Sequence, residues 1–275
     1  MPRLPVERKL ARDVAKALRG FDMIQHDDRI LVALSGGKDS YTLFHLLDDL
    51  SRRSPVRFTL VPVHIDQGQP DHDPSPLIQF LHQRGFHLHV EREDTYSIVR
   101  SKIPEGKSFC SLCSRFRRAI LYRLSDELNC NKIALGHHRD DAIVTLLLNL
   151  VFSGQLKSMP PKLIADDGRH VVIRPLIYCS EPSIVKLSSS YGFPILPCRV
   201  CGSRPDAQRK AIDDWLGDLE HRHPDVRANM LAALANVRPS HLLDPDLWHA
   251  LNLKVACEDT LDPHDTIAAE RLIRT

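Results

Sequence analysis

The stretch RILVALSGGKDSYTL, residues 29–43, carries an apolar segment into two glycines, a lysine, an aspartate and a serine, then turns apolar again. The first six residues read as a strand and the segment from Asp39 as a helix, which leaves Ser35 to Lys38 as a tight turn between them. Backbone N–H groups and the positive end of the helix dipole converge on such a turn, making it an anion site. The spacing is neither G-x-x-x-x-G-K-[ST] nor G-x-G-x-x-G, which argues against a Walker loop and against hydride transfer. Turn geometry and capping account for Gly36, Gly37 and Ser40 one at a time. They leave Lys38 unexplained, because a lysine at a helix N-terminus opposes the dipole unless an anion lies between them.

Outward from this turn the pattern beats β-α-β. An amphipathic helix comes first, with Val6, Leu10, Val14 and Leu18 on one stripe and Arg8, Lys9, Arg12 and Lys16 on the other surfaces. FTLVPVHID, FHLHVE, KIALGHH and HVVIRPL read as further strands, and SPLIQFLHQRG, SRFRRAILYRLSDEL and DDAIVTLLLNLVF as helices between them. Strands alternating with helices predict an α/β fold, a doubly wound parallel sheet with an N-terminal helix and a helical C-terminal extension. The expected divisions are an N-terminal basic helix over 1–24, an ATP-binding α/β domain over 25–200, a helical extension over 201–242 and an acidic, loosely ordered tail over 243–275.

Ligands of open α/β sheets bind beyond the carboxyl ends of the strands, so other functional residues are expected at the same edge. VPVHID ends its strand at His64 and Asp66, and IALGHHRDD ends its strand at Gly136, followed by His137, His138, Arg139, Asp140 and Asp141. Gly136 permits close approach of a ribose or adenine. Asp140 is suited to hold Mg²⁺ or orient a reacting group, although Asp140 and Asp141 taken alone are as well read as helix caps.

The 275 residues are 43% apolar and 26% charged, the composition of an ordinary globular chain. No apolar run approaches the ~18 residues a membrane span needs, and no secretory leader pattern is present, so a cytoplasmic protein is expected. A net charge of +2 conceals polarity: residues 1–19 hold six Lys/Arg against two acids, residues 100–123 seven against one, and residues 240–275 three against seven. Such basic segments suit a polyanionic partner and equally suit solvated helix faces. Seven cysteines argue for thiol or metal chemistry over a disulfide framework. Cys110 and Cys113 open a helix, and 84 residues separate them from Cys198 and Cys201, too many for one compact zinc ribbon. Structural zinc, an iron–sulfur cluster and free thiols all fit two such pairs. Cys130, Cys179 and Cys257 read as small buried hydrophobes.

SGGKDS resembles the PP-loop of the ATP pyrophosphatases. Together with CSLCSRFRR, ALGHHRDD, MPPKL…DDGRHVVIRPL and PC-x-x-CGS-x-P in this order, it resembles the tRNA 2-thiocytidine synthetase family over roughly residues 5–242. The resemblance implies an ATP- and Mg²⁺-dependent enzyme, a tRNA-cytidine(32) 2-sulfurtransferase, that replaces the C2 oxygen of anticodon-loop cytidine 32 by sulfur with the aid of a [4Fe–4S] cluster. It implies Cys110, Cys113 and Cys201 as cluster ligands, with Cys198 in doubt. ATP would be held by Ser35, Gly36, Gly37, Lys38, Asp39, Ser40, His64, Asp66 and Gly136, and the chemistry served by Lys38, Asp39, Asp140 and Arg117. Arg8, Lys9, Arg12, Lys16, Arg115, Arg118 and Arg123 would contact the tRNA backbone. Further implied partners are a sulfur donor such as a cysteine desulfurase and a second copy in a homodimer.

Two other readings compete. Another PP-loop tRNA modification enzyme, of the thiouridine or lysidine type, would share the ATP chemistry and differ in its product nucleoside. A non-catalytic, zinc-stabilised nucleotide- or RNA-binding module would be colourless and make no AMP.

Overall fold

The computed structural model describes residues 3–102, 110–196 and 207–253. They fall into two compact units, one ending at Asp218 and one beginning at Leu219.

In the first unit, helix α1 (Pro5–Gly20) starts on Pro5, whose missing N–H is no loss at a first turn, and buries Leu10, Val14, Ala17 and Leu18. Strand β1 (Asp28–Ala33) leads through the glycine turn into α2 (Lys38–Arg53), followed by β2 (Phe58–Asp66), α3 (Ser75–His82), β3 (His89–Arg92) and α4 (Thr95–Lys102). Then come α5 (Cys110–Glu127), β4 (Lys132–Ala134), α6 (Arg139–Phe152), β5 (Lys162–Ile164), β6 (Val171–Ile173) and α7 (Glu181–Tyr191). Helix α8 (Ala207–Arg222) crosses into the second unit, which adds α9 (Val226–Leu234) and α10 (Pro245–Ala250). Asp244 caps α10 by accepting from the Leu247 N–H at 3.0 Å, so a helix stands in the segment expected to be a tail.

Among the described residues six strands form one sheet in the order β3-β2-β1-β4-β6-β5. All pairs are parallel except the β5–β6 edge, which is antiparallel. Alternation along β1 sorts two cores: Ile30 and Val32 face α1, α2, α3 and α7, while Leu31 joins Val63 and Ile133 against Ile120, Leu121 and Leu124 of α5. A sheet covered on both faces explains why β1 reads as a continuous apolar run. After β1 the chain builds β2 and β3 on one side, then returns to place β4 on the other, so the strand order reverses between β1 and β4. The crevice at their carboxyl ends is where this topology positions a ligand.

Three elements depart from the sequence reading. Residues 95–102 form α4, residues 181–191 form α7, and β5 pairs back on β6 across the Ala165–His170 turn, closed by the Ala165 N–H on the His170 carbonyl at 2.8 Å. Helix α7 is rich in serine and ends on Gly192 in the left-handed region at φ 60°, so tertiary packing of Ile184 and Leu187 holds it rather than propensity.

Candidate functional site

The turn after β1 is built as the sequence demands. Gly36 has φ +80°, and a Cβ there would lie 2.7 Å from the Leu196 side chain, so glycine is required twice over. Gly37 is the residue before α2. The Ser40 hydroxyl donates to the Gly37 carbonyl at 2.9 Å, and the Ser35 hydroxyl lies 3.3 Å from it. These contacts hold the turn while the first N–H groups of α2 have no intrahelical acceptor.

Lys38 Nζ stands 3.2 Å from Asp39 Oδ2 and 2.9 Å from Glu181 Oε1 in the first turn of α7. Burial pulls the Lys38 pKa down, but hydrogen bonding and charge from Glu181 and Asp39 outweigh it and raise the value, so the cation is kept. Glu181, absent from the sequence-based site, supplies the anion that the position of Lys38 calls for. Its own backbone N–H donates to Asp140 Oδ2 at 2.8 Å, which ties α7 to the start of α6. Asp140 is buried and also accepts from Arg139 at 3.2 Å.

Gly136 lies against α2: a Cβ there would come within 3.2 Å of the Asp39 carbonyl carbon. Its bareness therefore lets the β4 exit pack on the first turn of α2. Beside it, His138 is buried with Nε2 3.6 Å from both Asp39 and Asp141, and Asp141 accepts from the His138 N–H at 3.1 Å and from Arg209 at 2.8 Å. Asp141 thus closes a capping box from the third position of α6 onto the N-cap, His138. His137 is driven to a pKa of about 4, by burial first and by Arg174 second, and is neutral at pH 7. Asp39 Oδ1, 3.6 Å from His138 Nε2, is buried with no hydrogen-bond partner among the described residues, an acceptor suited to a magnesium ion, which takes one or two carboxylates and leaves the rest of its shell to phosphate and water.

On the other side of β1, His64 Nδ1 donates to the Leu34 carbonyl at 2.6 Å, and its Nε2 meets His72 Nε2 at 2.8 Å. Burial lowers the His64 pKa, so the neutral ring braces the entry to the turn. Asp66 closes the end of β2 by accepting from the Gly68 N–H at 2.9 Å. The next residue, Gln67, is buried and reaches across to Cys113 Sγ at 3.3 Å, Thr95 at 3.1 Å and Arg117 at 3.4 Å. Cys113 is itself buried, and Cys110 is the first residue of α5. The first sulfur-bearing segment therefore packs at the end of β2, next to the strand that feeds the turn.

Cys198 and Cys201 lie outside the described residues. The chain that leads to them does not: the Leu196 N–H donates to the Gly36 carbonyl at 2.9 Å, and the Tyr41 hydroxyl to the Pro194 carbonyl at 2.9 Å. The chain is thus tied to the glycine turn two residues before Cys198. Thiolates are what zinc or an iron–sulfur cluster takes, and Cys113 fits such a group.

A family model described as a PP-loop domain matches residues 4–194. A tRNA-cytidine(32) 2-sulfurtransferase of Sorangium cellulosum is 58% identical over 93% of this chain and 90% of its own length. The chain belongs to the tRNA-cytidine(32) 2-sulfurtransferase family. Another such relative, from Erwinia tasmaniensis, is 51% identical over 88% of this chain and 79% of its own. Among solved structures, the U34-tRNA thiolase NcsA from Methanococcus maripaludis with its [4Fe-4S] cluster is similar at a TM-score of 0.65 and 21% identity, covering 92% of this chain and 81% of that one. That likeness shows the fold.

The basic residues separate into two groups. Arg8, Lys9, Arg12 and Lys16 are exposed on α1, and Arg115, Arg117 and Arg118 on α5. Arg123 is held by Glu91, Glu93 and Glu127, which accept from its guanidinium at 2.7, 2.9 and 3.1 Å. A groove of about 1000 Å³ lies between α1 and the C-terminal half of α2, lined by Arg8, Arg12, Arg19 and Arg53. It is distinct from the glycine turn, none of whose residues line it. Cys130 and Cys179 are buried as expected, and Cys257 lies outside the described residues. Among the described residues no helix is long and apolar enough to cross a membrane.

Proposed function

We propose that this chain catalyses the ATP-dependent thiolation of cytidine 32 in tRNA, with Lys38 and the Ser35–Ser40 turn gripping the departing pyrophosphate. One observation carries the reading: Cys113, through Gln67, and the approach to Cys198, through Leu196 and Gly36, are both fastened to the rim that holds Lys38. Curated relatives bearing that activity in their names support it.

The C2 oxygen of cytosine is a poor leaving group. Its attack on the α-phosphorus of ATP forms a new O–P bond, breaks the bond to pyrophosphate, and leaves an adenylate ester. A sulfur nucleophile then adds at C2 and AMP departs with the oxygen. Lys38 and the N–H groups of the turn neutralise charge growing on pyrophosphate, a preorganised field that costs no reorganisation during reaction. For Lys38 to meet phosphate it exchanges Glu181 for the incoming anion, so α7 senses whether the turn is filled. Asp39 would hold Mg²⁺ through its Oδ1, with Asp140 fixing α7 behind it. Arg117 has five N–H donors and uses one on Gln67, leaving others for phosphate. Cys110, Cys113 and Cys201 would hold the [4Fe–4S] cluster, which supplies a site where sulfide is bound and presented; Cys198 is the spare thiol. Arg8, Lys9, Arg12, Lys16, Arg115 and Arg118 would steer the tRNA, whose loop base must be unpaired to enter. A sulfur donor such as a cysteine desulfurase and a homodimer complete the proposal.

Anaerobic purification followed by iron, acid-labile sulfide and zinc analysis tests it. The expected protein is brown with iron and sulfide in equal amounts. Stoichiometric zinc without iron contradicts it.

A further inference from the structure

Gln67 sits between the phosphate-side strand β2 and the cysteine helix α5, and the chemistry of its neighbours fixes which way its amide points. Arg117 offers only donors, so the atom 3.4 Å from its guanidinium is the Gln67 oxygen. The reverse orientation would set two donors against each other. The amide nitrogen is then left with two hydrogens and two acceptors, Thr95 Oγ1 at 3.1 Å and Cys113 Sγ at 3.3 Å. All three residues around this nitrogen are enclosed, Gln67 at 6% exposure, Thr95 at 1% and Cys113 at 8%, so water does not compete for these bonds.

The position of Gln67 is itself locked. Its carbonyl accepts from the Tyr96 N–H at 3.0 Å, and Gly68, at φ +76°, turns so closely past Asp94 that a Cβ would meet its carboxylate at 2.9 Å. The amide therefore approaches Cys113 from a fixed direction. A sulfur that ligates a metal keeps lone pairs for N–H donors, and such donors orient the ligand and stabilise the more negative, reduced state of an iron–sulfur cluster.

From this geometry we infer that Gln67 is a positioning residue for the sulfur site: its amide N–H, aimed by Arg117, orients Cys113 and sets the reduction potential of the cluster that Cys113 holds. The inference rests on the reading of Cys113 as a cluster ligand. It also gives Arg117 a role through Gln67 in addition to any phosphate contact.

The test compares wild type with Gln67→Glu and Gln67→Leu, each purified and reconstituted anaerobically. Iron content, ATP affinity by calorimetry and the cluster potential by EPR-monitored redox titration are read on the full chain. Gln67→Glu keeps the length, the planar head and the acceptor for Arg117 but replaces the donor by a carboxylate oxygen and its charge, whereas Gln67→Leu removes the donor without adding charge. ATP affinity is expected to stay within twofold. At a fixed applied potential the reduced-to-oxidised ratio of Gln67→Glu is expected to fall about tenfold, a shift of about 59 mV for a one-electron couple, with a smaller shift of the same sign in Gln67→Leu. A shift or iron loss confined to Gln67→Glu, with wild-type iron and potential in Gln67→Leu, overturns the inference, because the added charge alone accounts for it. Full iron and an unchanged potential in both variants overturn it. So does iron loss confined to Gln67→Leu with wild-type potential in Gln67→Glu, which leaves Gln67 only a packing role. Wild type without iron, or iron that persists at wild-type content in Cys113→Ala, defeats the underlying reading instead.

Discussion

Lys38 is held by Glu181 and Asp39 while carrying a raised pKa, so its charge is available throughout the physiological range. Removing it in Lys38→Ala takes away one preorganised charge opposite the leaving pyrophosphate, and AMP formation measured with radiolabelled ATP is expected to fall about 10²–10³-fold while circular dichroism stays native. His137 offers a different prediction. Its folded pKa of about 4 lies below the usual 6.5, so its neutral form is favoured in the native state. The stability this contributes is present above pH 6.5 and is lost as pH falls through about 4. Burial lowers His64 and His45 as well, so they act in the same direction. Thermal unfolding followed from pH 7 to pH 4 should show the melting temperature declining, and His137→Gln should flatten part of that decline. At this scale the sequence exposed residues whose position conflicts with local physics, Lys38 above all. Glu181 and Gln67 were invisible because each is an ordinary polar residue until the fold brings a distant partner to it, Cys113 being 46 positions from Gln67.

The glycine turn and α7 work as a pair of elements. Gly36 accepts Leu196 against its Cα and has a left-handed φ, so Gly36→Ala meets both strain and a clash. Unfolding in urea is expected to show a loss of roughly 1–3 kcal/mol, with weakened ATP binding, because the turn and the strand of chain entering the second cysteine pair must both shift. Gly20→Ala is the control, since a Cβ there meets nothing within 4 Å. Strand–helix alternation made β1 to β4 and β6 legible, since two-sided burial writes itself as apolar runs. Helices α4 and α7 were not legible, the first because TYSIVRSK is short and mixed, the second because serines weaken its pattern. Strand β5 is three residues between a proline break and a turn, below what periodicity can resolve.

Across the whole molecule, the exposed basic face of α1 is charged without a matching share of acids, and α2 connects the groove it borders to the turn at Lys38. The double substitution Arg8→Glu with Arg12→Glu is expected to weaken tRNA binding about tenfold at low salt, with a shallower salt dependence and an unchanged ATP affinity. Filter binding at several salt concentrations, paired with calorimetry for ATP, checks both halves. That the glycine turn and the Cys113 segment both stand at the carboxyl ends of the strands could be read from the order of motifs, because order constrains topology. What required the fold was the way Cys113 is attached through Gln67 and the chain at Leu196 through Gly36.

The claim that these parts make one thiolating site is tested most directly by nucleoside mass spectrometry of unmodified tRNA incubated anaerobically with the protein, ATP and sulfide. The account predicts 2-thiocytidine at position 32, formed only with ATP and lost in Cys113→Ala. AMP release with no 2-thiocytidine, or a different modified nucleoside, would contradict it.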